Sequence, residues 1–378
     1  MFLTLFANYI FDMQIETSKV VKALTKVTDP NTGQDLITMN MVRDLHVEGP
    51  NVAFTLELPS LNNTYKSDLN FACQAAIQEI YPGANVHVHM SARNVGQGAS
   101  EPANAAPHIK NIIAVASGKG GVGKSTVSVN LALGLKQLGA RVGLIDADLY
   151  GPSIPTMLGL QGKRPQIQSV YNQPKMVPLE AEGMPVMSIG FIIEPEQAVV
   201  LRGPRLGGII KQFFQETIWP ALDYLIVDLP PGTGDIQLTL VQTVPVTGAI
   251  LVTTPQEVAL ADAVKAMNMF LLPSVDVPIL GVVENMSWFT PKELPDNKYF
   301  IFGQGGGAKL AEMAQTKLLG QVPLVQGIRE SGDLGKPAVL QDSDANTRNA
   351  FMTVAENALA QIRERNEKMA PTRIVEVK

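Results

Sequence analysis

The chain has 378 residues, 46% of them hydrophobic, and a formal net charge of −5. That length can bury a full α/β core with chain left for a second domain, and the acidic balance offers no global basic field for nucleic acid. A single cysteine, Cys73, excludes an intramolecular disulfide framework and fits a reducing cytoplasm, and no uninterrupted apolar run reaches membrane-spanning length.

In chain order, Met1 to Phe11 is apolar but has no basic n-region and no credible cleavage site, so it does not read as a signal peptide. Residues 1–17 are either an N-terminal extension or in part a mis-assigned start, with Met13 the initiator. From Ser18, the spacing of Val20, Val21, Leu24 and Val27 gives one helical face, ended by the turn Asp29-Pro30-Asn31-Thr32-Gly33. Strands are expected at Val42–Val47 and Val52–Leu58, a helix over Leu69–Ile80 and a strand at Val86–Met90, which together make a small α+β domain over 18–93. Cys73 falls on the helical pattern and reads as a small buried hydrophobe. His87 and His89 alternate on the last strand and share a face, which suits either a solvated surface or two ligands of a metal that lacks a third. Residues 94–107 lack periodicity and large apolar side chains and read as a flexible linker.

The domain expected over 108–366 alternates apolar strands with helical patterns, the signature of a doubly wound, mostly parallel α/β sheet. It opens with the apolar run Ile112–Ala116 followed by Gly118-Lys119-Gly120-Gly121-Val122-Gly123-Lys124-Ser125-Thr126. The spacing fits G-x-x-x-x-G-K-[ST] between strand and helix, a phosphate cradle rather than an ordinary glycine-rich turn. Glycines let backbone N–H groups curl around a phosphate; Lys124 would reach the β/γ-phosphates of ATP and Ser125 would hold Mg²⁺. A helix closed by Gly139 follows, then the strand Val142–Ile145 ending in Asp146 and Asp148, two acids where ligands of such sheets bind, unless they only cap a helix. Tyr224–Val227 before Asp228 makes a Walker B pattern, so Asp228 would bind Mg²⁺ through water, and Pro230-Pro231-Gly232-Thr233-Gly234-Asp235 has glycines that let the backbone move. Gly248–Thr253 is a strand, Glu257–Leu271 a helix, and Ile279–Ser287 a strand carrying Asn285. Phe351, Val354, Ala358, Leu359 and Ile362 make a modest helical face that suits core packing better than a membrane surface. Its mixed-charge end, Arg363-Glu364-Arg365-Asn366-Glu367-Lys368, reads as solvated, and 367–378 as a polar tail.

Lys119, a second lysine inside the phosphate loop, makes this stretch similar to the deviant Walker A of the MinD/ParA/nitrogenase-iron-protein group of dimeric ATPases. The resemblance implies a homodimer in which Lys119 reaches the partner's phosphates, Asp148 orients the attacking water and Asp146 supports Mg²⁺; a solvated loop lysine is the bland alternative. It also matches Asn285 to an adenine-recognising asparagine, though a capping role stays open, and likens Gly320-Gln321-Val322-Pro323 to a second base-contacting loop. The small front domain, Asp146-Ala147-Asp148-Leu149-Tyr150-Gly151-Pro152-Ser153, Leu201-Arg202-Gly203-Pro204, the Pro-Pro-Gly-Thr-Gly-Asp string and Glu284-Asn285-Met286-Ser287 together resemble the Mrp/ApbC iron–sulfur cluster carriers. That resemblance implies assembly proteins or client apoproteins as partners and an iron–sulfur cluster as cargo; the core-packing C-terminal helix and the absence of a basic surplus lead us to expect no membrane or nucleic-acid partner. Typical members carry Cys-x-x-Cys after Asn-Met-Ser, where this chain reads Trp288-Phe289-Thr290-Pro291-Lys292-Glu293-Leu294, so no cluster ligand is identified. The competing reading is a spatial organiser of the MinD/ParA type that dimerises on ATP to hold a membrane or DNA partner.

Overall fold

The computed structural model describes residues 15–30, 32–39, 41–58, 65–92, 106–148, 151–170, 173–192, 203–291, 293–342 and 345–375. Residues 1–14, Asn31, Asn40, 59–64, 93–105, Leu149, Tyr150, 171–172, 193–202, Lys292, 343–344 and 376–378 lie outside them, and with them most of the expected linker and the Leu201-Arg202 half of the Leu-Arg-Gly-Pro motif. The chain divides into two compact units, the first formed mainly by its first 100 residues.

The small unit runs α1 (Thr17–Leu24), β1 (Val42–Glu48), β2 (Asn51–Leu58), α2 (Lys66–Ile80) and β3 (Asn85–Ala92). β2 is central, antiparallel to β1 and parallel to β3. Its alternation sends Val52, Phe54, Leu56 and Leu58 to one face, where they join Val20, Leu24, Leu69, Cys73 and Ile77 in the core. His87 and His89 share the exposed face of β3, and among the described residues no group of three or more potential metal ligands occurs.

The chain continues with β4 (Ile109–Ala116), α3 (Lys124–Gln137), β5 (Val142–Asp146), α4 (Ile154–Met157), β6 (Gln166–Val170), β7 (Gln173–Val177), β8 (Leu179–Ala181), β9 (Met184–Ser188), α5 (Gly203–Gln215), β10 (Leu222–Asp228), α6 (Asp235–Thr243), β11 (Gly248–Thr253), α7 (Glu257–Phe270), β12 (Ile279–Phe289), α8 (Gly306–Met313), β13 (Leu318–Leu324), α9 (Gln326–Asp333) and α10 (Ala345–Lys368). These make the large unit, except that β6 and β7, a two-stranded sheet of their own, fall mostly in the first unit, which takes in 168–175. Eight strands form one sheet in the order β13-β12-β11-β4-β10-β5-β9-β8, parallel except for β8 at one edge. The period of two divides β4 between two cores: Ile113 and Val115 pack with α3 and α10, whereas Ile112, Ala114 and Ala116 pack with α5, α6, α7 and α8. Helices on both faces explain why the central strands are continuous apolar runs.

Three features depart from the sequence-based expectation. The segment Gly320–Pro323 is part of strand β13 rather than a loop, and Pro323 is tolerated because β13 is an edge strand. The strands between Gln166 and Ser188 give no clear periodic signal and are visible only in the fold. The mixed-charge end of α10 is not wholly solvated: Arg365 is buried, and the tail beyond it packs back on the core, with the Val375 N–H donating to Val241 O at 3.0 Å.

Candidate nucleotide-binding site

β4 lies at the centre of the sheet between β10 and β11, and the chain leaves its carboxyl end through the glycine-rich loop into α3. In doubly wound sheets this crevice is where ligands bind. Gly123 precedes the helix at φ +81°, in the left-handed region, and a Cβ there would run into the Asn285 carboxamide. At Gly118 a Cβ would strike the α7 backbone at Asp262 and Ala263. The loop sequence is therefore fixed twice, by its own turn and by what passes over it.

Lys124 begins α3 and is buried, and its Nζ lies 2.9 Å from Asp228 Oδ2, 3.4 Å from Asp148 Oδ2 and 3.3 Å from Ser125 Oγ. Asp228, at the end of β10 and fully buried, accepts at 2.6 Å from both Ser125 Oγ and Ser128 Oγ. Asp146 ends β5 beside it and accepts from Ser188 Oγ at 2.9 Å and from the Asp148 N–H at 3.1 Å. Burial first, and then the Asp228 charge, push the Asp146 carboxyl up to about 8. The structure thus brings Lys124, Ser125, Asp146, Asp148 and Asp228 into one cluster. Hydroxyl and carboxylate oxygens with more acids than cations are the donor set that a hard cation such as Mg²⁺ takes. Ser128 and Ser188 escaped the sequence reading. Ser128 could have been found, since it stands four residues after Lys124 on the same helix face, but only the fold brings Ser188 to Asp146.

Lys119 takes a different direction. Half-buried, its Nζ is 3.5 Å from Gln256 Oε1 just before α7, and its carbonyl accepts from Ser117 Oγ at 3.0 Å. The Pro230–Gly234 loop is tied to the phosphate loop by the Gly232 N–H, which donates to Ser117 O at 2.8 Å, while Gln237 Nε2 donates to the carbonyls of Pro230 and Gly232.

On the other side of the loop, Asn285 Nδ2 donates to Val122 O at 2.9 Å, locking β12 to the phosphate loop. A cavity of about 340 Å³ opens there, lined by Gly123, Thr126, Asn285, Met286, Pro323 and the Arg329–Asp333 ion pair, among others. Asn285 and Pro323, 38 residues apart, meet because Asn285 pairs with Val322 in the β12–β13 ladder. Beyond Met286, β12 continues to Phe289, which exchanges 2.8 Å backbone hydrogen bonds with Tyr299. Lys298 Nζ lies 4.2 Å above the Trp288 ring, and Leu294, Phe300 and Ile301 are exposed. The position after Asn-Met-Ser is therefore an aromatic and apolar surface. Cys73, far along the sequence in the small unit, is fully buried, and burial pushes its thiol up to about 12.

A phosphate loop at the carboxyl end of a central parallel strand, with acids from the carboxyl ends of β10 and β5 around its lysine, defines a P-loop NTPase. Residues 108–359 match the model of the NUBPL iron-transfer P-loop NTPase family and residues 17–101 that of the iron–sulfur cluster assembly protein family. The chain belongs to the NUBPL iron-transfer P-loop NTPase family. It is 44% identical over 348 residues to an iron–sulfur cluster carrier protein of Synechocystis, covering 92% of this chain and 98% of that one. It is 50% identical over 254 residues to the protein of that name from Escherichia coli K12, 67% of each chain. Among solved structures it is similar to a nucleotide-binding protein from Archaeoglobus fulgidus in complex with ADP, with a TM-score of 0.54 and 34% identity over 65% of this chain and 93% of that one.

Proposed function

We propose that this protein is an ATP-hydrolysing homodimer of the iron–sulfur cluster carrier type, working in a reducing cytoplasm on assembly or client apoproteins. The observation that carries the nucleotide half is the convergence of Lys124, Ser125, Asp148 and Asp228 beneath the loop 118–126. Lys124 takes the β/γ-phosphates, trading its carboxylate partners for phosphate oxygens, and the backbone from Gly118 to Thr126 wraps them. Ser125 and Asp228, with Asp146 behind them, would hold Mg²⁺, which would supply positive charge to offset that of the phosphates. Asp148 orients the attacking water. Asn285 and Pro323 line the place for adenine, where a carboxamide can both donate and accept. Lys119, on a separate element contact, is left to act on the partner's phosphates across a nucleotide-sandwich dimer. The organiser reading is weaker, because α10 spends its apolar face, Phe351, Val354, Ala358 and Ile362, inside the core.

The cluster itself is cargo, and this chain has no thiolate pair to hold it at the family's position. Its part in delivery is then that of an ATP-gated scaffold, or of a carrier whose ligands come from a partner or a small thiol. Nucleotide binding and turnover separate the two lysines. Lys124→Ala is expected to abolish ATP binding, whereas Lys119→Ala is expected to keep binding and lose about 10³-fold in hydrolysis, the order of an in-trans cation. Equal loss of binding in both would sink the in-trans role, as would an ATP-independent monomer in sedimentation.

A further inference from the structure

At the end of the sheet opposite the phosphate loop, where β11 and β12 begin, a second cavity of about 300 Å³ is enclosed by Val241, Val246, Val277, Pro278 and the returning tail at Ile374. Arg365, from the last turn of α10, lines it with only 9% of its surface exposed. Its Nη1 donates to Asn366 Oδ1 at 3.2 Å and its Nη2 to Ala370 O at 2.8 Å. Its buried Nε has no acceptor. Among the described residues no carboxylate stands within ion-pair distance of this guanidinium, although surface neighbours such as Lys317 and Lys368 both find Glu364. Thr372 and two exposed charges of opposite sign, Asp276 and Arg373, complete the polar part of the lining.

An arginine does not shed its proton, so burial leaves a full positive charge and an unmade hydrogen bond among apolar walls. The complement of a guanidinium edge is an oxyanion. The walls are valine, proline and isoleucine, which favour a hydrocarbon body over a fully hydrated anion such as phosphate. We propose that this cavity binds a small carboxylate with an apolar body, its carboxylate on Arg365 and its chain against Val246 and Val277. The site is separate from the nucleotide crevice and needs no part of it. Because the occupant would seat the tail against α6 and β11, it would order residues 369–375.

The test is thermal unfolding of the full chain with sodium butyrate, set against sodium chloride and sodium phosphate at equal ionic strength. Butyrate is expected to raise Tm in a saturable way beyond both salts, because a ligand of the folded state adds stability with its occupancy. Arg365→Met should lose that shift, and Ile374→Trp, which fills the cavity and leaves Arg365 in place, should lose it too, so the result does not hang on one variant folding. No saturable rise in the wild type, or an undiminished rise in Ile374→Trp, overturns the proposal. The chain's own Glu376 could supply the same chemistry: if Glu376→Gln lowers Tm and butyrate acts only on that variant, the site is internal and the free-ligand proposal fails.

Discussion

Asp146 ends β5 with no surface exposed to water and accepts hydrogen bonds from the Ser188 hydroxyl and the Asp148 N–H. With its carboxyl pushed up to about 8, the folded chain keeps a proton there that the unfolded chain releases near its ordinary value of about 3.9. The stabilisation this gives is fully present below about pH 4 and is lost as pH rises through about pH 8. Asp146→Asn holds the neutral form permanently, so in the absence of nucleotide and divalent cations its Tm should fall less than that of the wild type between about pH 5 and pH 8. A wild-type slope unchanged in Asp146→Asn would mean that Asp146 is ionised in the resting fold. Lys124 is held by the same cluster, its Nζ 2.9 Å from Asp228 and 3.4 Å from Asp148.

At the scale of elements, α3 links the phosphate loop to the core. Its residues Val127, Val129, Leu131, Leu133 and Leu135 are buried on more than one side, because β4 lies beneath and α10 covers it. Gly134 allows that covering: a Cβ there would come within 2.8 Å of Ala355 Cβ on α10. Helix propensity alone would make Gly134 a weak point that any side chain improves by up to about 1 kcal/mol. Overpacking opposes this and costs about 1–3 kcal/mol, so it wins for a branched side chain. Gly134→Val is expected to lower stability by that amount in denaturant unfolding, with the m-value unchanged. A gain would show that α10 can ride outward without loss. Asn130 adds a polar tie on the same helix, accepting from the Val339 N–H at 2.8 Å.

For the whole molecule, the question is how a member of a cluster-carrier family works with one cysteine. A dimer would offer two copies of Cys73, both in small units, buried and with the thiol held far from its thiolate form. Common two- and four-iron clusters need four thiolates. Anaerobic reconstitution is therefore expected to leave the purified protein without a stoichiometric cluster, as read by bound iron and acid-labile sulfide, and Cys73→Ser should behave as the wild type. A full cluster in the wild type that vanishes in Cys73→Ser would move ligation to the small unit. One that survives the substitution would overturn the thiolate argument and turn attention to His87 and His89, which lie exposed on one strand face.

The sequence by itself determined whatever depends on local pattern. Continuous apolar runs marked β4, β10, β11 and β12 because those strands are covered on both faces, and alternation marked β2 because one of its faces is not. The phosphate loop was legible because glycines, lysine and hydroxyl must fall at fixed spacing between strand and helix. Tertiary structure alone decided what depends on residues distant in the chain. Ser188 reaches Asp146 across 42 positions and Asn285 reaches Val122 across 163. Arg365 read as part of a solvated, mixed-charge helix end, yet the fold buries it, because the returning tail and the loop before β12 close over that end of α10. Spacing along a chain records the period of one element, whereas burial and electrostatic environment are set by which other elements pack against it.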